Sequence, residues 1–156
     1  SRNHSIGFVF QSYNLIPHLT ILENVELTMT LGGVARAERK KKAKDALIAV
    51  GLQEKLNKKP NELSGGQMQR VSIARALAGD PDIILADEPT GNVDPKMSLD
   101  IMNMLLRINR KLGKTVLVVT HEQNLVDTLG QRVINISHGN VIGDRTIGQH
   151  ETPSIG

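Results

Sequence analysis

Hydrophobic and polar positions follow two periods along this chain, and the switching between them outlines its elements. Ile6 to Phe10 is a short apolar run ending at the polar Gln11, as in a strand. From Thr20 to Leu31 the apolar Leu22, Val25 and Met29 recur at helical spacing, with Thr20 and Glu23 placed to form a capping box. Gly32-Gly33 breaks that helix. A second helix is expected from about Arg36 to Val50, apolar at Ala43, Leu47 and Val50 and stopped by Gly51. Residues 57–62 contain Pro60 and read as a polar linker. Val71 to Ala78 reads as helix, and Gly79-Asp80-Pro81-Asp82 as a turn.

Ile83 to Ala86 shows no polar alternation, the pattern of a strand buried on both faces. Ser98 to Leu112 is an amphipathic helix closed by Gly113, and the valine-rich Thr115 to Thr120 is a strand that delivers His121. Val126 to Gly130 ends a short helix. Arg132 to Ser137 and Asn140 to Thr146 read as strands around a hairpin-like turn at His138-Gly139. Strands alternating with helices indicate an α/β fold with a parallel sheet flanked by helices. The expected division puts core sheet at 1–14 and 80–148, an inserted α-helical subdomain at 15–79, and a frayed polar tail at 149–156.

Composition narrows the class. A chain of 156 residues and 17.0 kDa is a single-domain length, and 39% hydrophobic with 22% charged residues lies in the globular range. Cysteine is absent, which excludes disulfides and thiolate metal sites and fits a reducing cytoplasm. No apolar run approaches the ~18 residues of a membrane span, and the N-terminus lacks a signal-peptide pattern. A membrane role is expected only through a partner. Much of the net charge of +3 comes from Arg36, Arg39, Lys40, Lys41, Lys42 and Lys44, set against Glu38. That run reads as the solvated face of a helix, with anionic lipid or nucleic acid as the alternatives. The only aromatics are Phe8, Phe10 and Tyr13, too few for base stacking, so nucleic acid is not expected as a partner.

Candidate chemistry gathers at two runs. Leu63-Ser64-Gly65-Gly66-Gln67 offers a hydroxyl and open backbone N–H groups ahead of a helix-like stretch, which is how a protein presents donors to a phosphate. Ile84-Leu85-Ala86-Asp87-Glu88-Pro89-Thr90 is a short strand ending in two carboxylates. Nucleotide hydrolysis needs one carboxylate to hold Mg2+, usually through water, and another to orient the attacking water. The alternative is a turn with two solvated acids. His121, at the next strand's end, is expected to face the same crevice as Asp87, where a neutral imidazole can bond a phosphate oxygen or the attacking water. A strand-end His is otherwise an ordinary surface residue. Gln11 can contact Mg2+ or its water, though an isolated strand-end Gln carries no meaning by itself. Asp94, in Gly91-Asn92-Val93-Asp94, is either an N-cap or part of a site.

These residues resemble, in order, the motifs of an ATP-binding-cassette (ABC) ATPase. Gln11 is similar to the Q-loop, Leu63–Gln67 to the signature, Ile83–Glu88 to the Walker B strand, Asn92-Val93-Asp94 to the D-loop, and His121 to the H-loop. The run Ile6 to Gln11, Asn14 to Thr20, and Leu22-Glu23-Asn24-Val25 are similar to the lipoprotein-release and macrolide-export branch. The resemblance covers the C-terminal two-thirds of a family domain and implies a partial P-loop NTPase (RecA-like) sheet whose inserted helical subdomain carries the signature. It implies that Glu88 is the general base, that Asp87 and Gln11 serve Mg2+, and that His121 senses the γ-phosphate of ATP. Ser64, Gly65, Gly66 and Gln67 would contact nucleotide bound to a second ABC ATPase domain in a head-to-tail dimer, with Asp94 at the dimer contact. The Gln11 loop and residues 15–59 would meet transmembrane subunits, which would hold the protein at the inner, cytoplasmic face of the cell membrane.

One motif is missing. A P-loop needs Gly, four residues, then Gly-Lys-Ser/Thr between a strand and a helix. The only Gly-Lys-Thr is Gly113-Lys114-Thr115; Ile108 occupies the first glycine's place, and the helix precedes rather than follows. That triplet reads as a helix C-cap. The adenine-stacking aromatic that precedes the P-loop in the family is also absent, and Tyr13 is no substitute. The expectation is a truncated sequence, incompetent for hydrolysis alone, whose sheet shows exposed edges and apolar surface. Two other classes share parts of this pattern. A chromosome-maintenance ATPase would need a long coiled coil between Gln11 and Ser64, which stand only 53 positions apart. The other is a non-catalytic regulatory or coupling module of an ABC assembly, against whose evolved loss of hydrolysis the retained Glu88 and His121 weigh.

Overall fold

The computed structural model describes residues 5–30 and 32–146, without the side chains at 128 and 129. Two compact units divide the chain, one reaching Val119 and one starting at Thr120.

The first unit holds strand β1 (Ile6–Val9), helices α1 (Ile21–Thr30) and α2 (Arg36–Ala49), a 3-10 turn (Pro60–Glu62), helix α3 (Gly65–Ala78), strand β2 (Ile83–Asp87), helix α4 (Pro95–Leu112) and strand β3 (Thr115–Val119). The strands form a parallel sheet in the order β1-β2-β3, with Val9 opposite Ala86 and Asp87 opposite Val119. All three therefore point their C-terminal ends at one edge, where α/β sheets place ligands. Helix α3 packs on β1 and α4 on β3, so Val9, Ile84 and Ala86 are fully buried. Helices α1, α2 and α3 pack on one another around the buried Ile21, Val25, Leu47 and Val71, and together they form a helical stretch between Gln11 and β2. Thr20 and Glu23 make the expected reciprocal capping bonds, 3.1 Å and 2.9 Å. The segment before α1 is organised by the buried Asn24. Its amide accepts from the Ile16 N–H (2.7 Å) and donates to the carbonyls of Ile16, Leu19 and Thr20.

Two local readings change. The polar linker contains the 3-10 turn, whose Pro60 is buried. Helix α3 starts at Gly65 rather than Val71, because Ser64 caps it and outweighs the low helix propensity of the two glycines. The Gly113 triplet is the expected C-cap. Gly113 ends α4 in the left-handed region (φ 67°), and Thr115 opens β3. The basic run lies in α2, where Lys40, Lys41, Lys42 and Lys44 are exposed; Lys41 pairs with Asp45 and Lys42 with Glu38.

The second unit contains helix α5 (Gln123–Leu129) and strands β4 (Arg132–Ser137) and β5 (Asn140–Thr146). The two strands pair antiparallel, as a sheet of their own, around the His138-Gly139 turn. A bidentate pair from Arg132 to Asp144 (2.9 and 2.7 Å) clamps their open end and holds the Asp144 carboxyl below its ordinary range. The tail at 149–156 lies outside the described residues.

Candidate functional site: the C-terminal edge of the parallel sheet

Parallel pairing brings Gln11, just past β1, and Asp87, the last residue of β2, to the same edge. Both are exposed, while Glu88 is half-buried in the turn that follows. Glu88 takes a left-handed conformation (φ 47°), a strained choice for a residue with a Cβ, and such strain gathers at functional sites. The turn is held from two sides: the Glu88 N–H donates to the Val119 carbonyl at 2.8 Å, and its own carbonyl accepts from Gly91 N–H at 3.1 Å.

Gly91 is approached closely by the Gln11 side chain. A Cβ there would lie 2.6 Å from the Gln11 side chain, which therefore rests directly on the turn after Glu88. Asn92 extends the contact, its Nδ2 donating to the Gln11 carbonyl (2.8 Å) while its own carbonyl accepts from the Tyr13 hydroxyl (3.2 Å). Partial burial raises the Tyr13 hydroxyl pKa above its ordinary value, so the phenol stays a protonated donor. Two residues on, Asp94 caps α4 by accepting from the Met97 N–H at 2.9 Å. The N-cap role expected as the alternative for Asp94 is thus present.

The start of α3 borders the same cluster. Gly65 sits close to the Tyr13 hydroxyl and the Asn92 carbonyl, and Gly66 is buried against Met97. Ser64 and Gln67 form a capping box, with the Ser64 Oγ accepting from Gln67 N–H (3.2 Å) and the Gln67 Oε1 accepting from Ser64 N–H (2.9 Å). A hydroxyl that accepts at the cap keeps its own proton to donate, and a helix's first N–H groups have no intrahelical acceptor. The cap therefore leaves an exposed O–H beside the positive end of a helix, which suits a phosphate.

Two α3 side chains that sequence reasoning passed over hold this edge together. Gln69, fully buried, donates to the carbonyls of Phe10 (3.1 Å) and Pro89 (2.5 Å). Arg75 donates to the carbonyls of Tyr13 (2.7 Å) and Asn14 (2.9 Å), and burial lowers its pKa. Both stand on the apolar-spaced helix after the glycine pair, and a polar residue on a core-facing helix side was the signal available. His121 follows β3 by two residues, is exposed, and belongs to the second unit. Asp87 and Gln11 suit Mg2+ in donor chemistry, since that ion takes few protein oxygens and completes its shell with water and phosphate. Among the described residues no cluster of three or more His, Asp or Glu side chains is arranged to hold a metal unaided.

The family model described as ABC transporter matches residues 1–91. An uncharacterized ABC transporter ATP-binding protein of Thermotoga maritima is 54% identical over 142 residues, covering 91% of this chain and 60% of its own length. The lipoprotein-releasing system ATP-binding protein LolD of Geobacter metallireducens is 48% identical, over 92% of this chain and 63% of that protein. The dimeric structure of MJ0796, a bacterial ABC transporter cassette, superposes with a TM-score of 0.75 at 49% identity, covering 91% of this chain and 62% of the cassette. The chain thus spans about six-tenths of the length of these relatives. From its motifs, its fold and these matches, the chain belongs to the ABC transporter family, as part of an ATP-binding domain.

Proposed function

We propose that this chain is part of an ATP-hydrolysing subunit that drives transport through separate transmembrane subunits. The observation that carries the reading is the convergence of Gln11, the strained Glu88 turn, the Asn92–Asp94 segment and the capped start of α3 at one sheet edge. In this reading Glu88 accepts the proton of the attacking water, and its half-buried place in a fixed turn aims the carboxylate. Asp87 and Gln11 hold Mg2+, which would neutralise charge on the ATP phosphates. His121 bonds the γ-phosphate. Ser64, Gly65, Gly66 and Gln67 donate to ATP held by a second ATP-binding domain, with Asp94 near the seam. MJ0796 is described as dimeric and, in another structure, as bound to ADP and Pi.

A surface groove of about 530 Å3 supports the partner assignment. It is lined by Phe8, Phe10, Asn14, Ile16, Leu27 and Arg75, among others, and so joins the Gln11 loop to α1. A short helix from a transmembrane subunit would fit there, placing the protein at the cytoplasmic membrane face. Among the described residues no helix is long and apolar enough to cross a membrane itself.

No Gly-x4-Gly-Lys-Ser/Thr run occurs in these 156 residues. The chain taken alone is therefore expected to show no Mg-ATP binding in titration calorimetry, and micromolar binding would refute the need for a P-loop. The main test uses the complete protein that carries one. There Glu88→Gln should slow phosphate release by roughly 10²–10⁴ while leaving ATP binding intact. Turnover near the wild-type rate would remove Glu88 from the role of base.

A further inference from the structure

The amide of Gln69, on α3, bonds to both halves of the edge just described. Phe10, whose carbonyl it holds at 3.1 Å, immediately precedes Gln11; Pro89, held at 2.5 Å, immediately follows Glu88. The two carbonyls come from segments 59 and 20 residues distant from Gln69, and one Nε2 spends both its protons on them. The side chain is fully buried, and its Oε1 has no hydrogen-bond partner. A buried orphan acceptor is destabilising, and an apolar side chain of equal size would avoid it. Its Nε2 nevertheless satisfies the Phe10 and Pro89 carbonyls, which an apolar side chain would strand, so stability accounts for part of the glutamine's presence.

Position accounts for the rest. Glu88 sits in a left-handed conformation that its surroundings must hold, and the Pro89 carbonyl is the first backbone acceptor after it. Gln11 lies between two fixed points, with Phe10 tied to Gln69 and its own carbonyl tied to Asn92. Gln69 also stands five residues after Ser64 on one continuous helix. A rigid helix carries any displacement of its Ser64 end straight to both tethers.

We propose that Gln69 is a positioning residue that sets Gln11 and Glu88 in register with each other and with the Ser64 end of α3. It acts through the two backbone carbonyls. The assignment rests on the reading that Glu88 and Gln11 serve ATP hydrolysis.

The test uses the complete protein with its P-loop. Gln69→Leu keeps the volume and removes both bonds. A misplacement near 1 Å costs about 10²-fold, so kcat should fall roughly 10- to 100-fold, with KM for ATP changed less than about threefold. Half-saturating Mg2+ should rise, because Gln11 is loosened together with Glu88. The melting temperature should fall, since two carbonyls lose their donor, so position is read from kcat and the Mg2+ dependence and not from stability. If Gln69→Leu folds poorly, Gln69→Asn serves instead: it keeps the amide, cannot reach both carbonyls, and should show the same loss confined to kcat. In a Glu88→Gln background, Gln69→Leu should add less than about threefold, because the two act as a unit. Unchanged kcat and Mg2+ dependence, or a full independent loss on top of Glu88→Gln, overturns the role of Gln69 and leaves the ATPase reading standing. Absence of hydrolysis in the complete wild-type protein overturns both.

Discussion

The two faces of the β1-β2-β3 sheet are built from equally apolar residues and have different fates. On one face Val9, Ile84 and Ala86 are fully buried under α3 and α4. On the other, Ile6 and Phe8 of β1 are 50% and 45% exposed, and Leu117 and Val119 of β3 are 54% and 53% exposed. Strand β3 also pairs with β2 alone among the described strands. Apolar content cannot separate these faces, because a side chain's burial depends on whether something is placed against it. The closed face anchors the helix whose side chains tie the site together, while the open face is ready for cover.

Two substitutions measure the difference directly. Ile84→Ala, on the closed face, should lower the unfolding free energy of this chain by about 2–5 kcal/mol, through lost transfer energy and a residual cavity. Leu117→Ala, on the open face, gives up burial it only half has and should cost about 1 kcal/mol. Urea denaturation of both variants gives the comparison. Equal losses would mean the open face is covered in solution.

A polar contact on the closed side should rank next. The Asn24 amide serves four backbone groups of residues 16–20, which Asn24→Leu would strand in a partly buried setting. A loss of about 1–3 kcal/mol is expected in the same denaturation experiment. A loss below a few tenths would show that water replaces the amide and that the segment before α1 is as open as the far sheet face.

Most of the element order was legible in the sequence, since periodicity reports local structure and these elements bury their apolar positions locally. Strand β2 and helix α4 lie where Ile83–Ala86 and Ser98–Leu112 were read, and Gly113 ends α4 as expected. The start of α3 was misplaced because two glycines weigh against helix by propensity, whereas Ser64 and Gln67 favour it by reciprocal bonds. The meeting of Gln11 with the Glu88 turn was legible only through motif order; its cause, the bare Cα of Gly91 under the Gln11 side chain, is a tertiary contact. Gln69 and Arg75 were not legible, because their partners are backbone carbonyls 20 to 62 residues away. Carbonyls leave no mark in sequence.

The smallest effect is expected at the opposite edge of the same sheet, where β2 and β3 begin. Lys114 Nζ lies 2.5 Å from Asp80 Oδ1, and this bond, reinforced by the Lys114 charge, holds the Asp80 carboxyl below its ordinary range. A depressed folded-state pKa adds stability above the unfolded value, near 3.9, and that contribution disappears as pH falls through the folded value. The Asp80 side chain is 81% exposed, so solvent screening keeps the gain within about 0.2–1 kcal/mol. Lys114→Met preserves the partly buried stem and removes only the charge. Its stability difference from wild type should be constant near neutral pH, shrink below about pH 4, and fade in ~1 M salt. A difference that persists at low pH would trace the loss to packing of the Lys114 stem, and would place this edge with the closed side of the sheet.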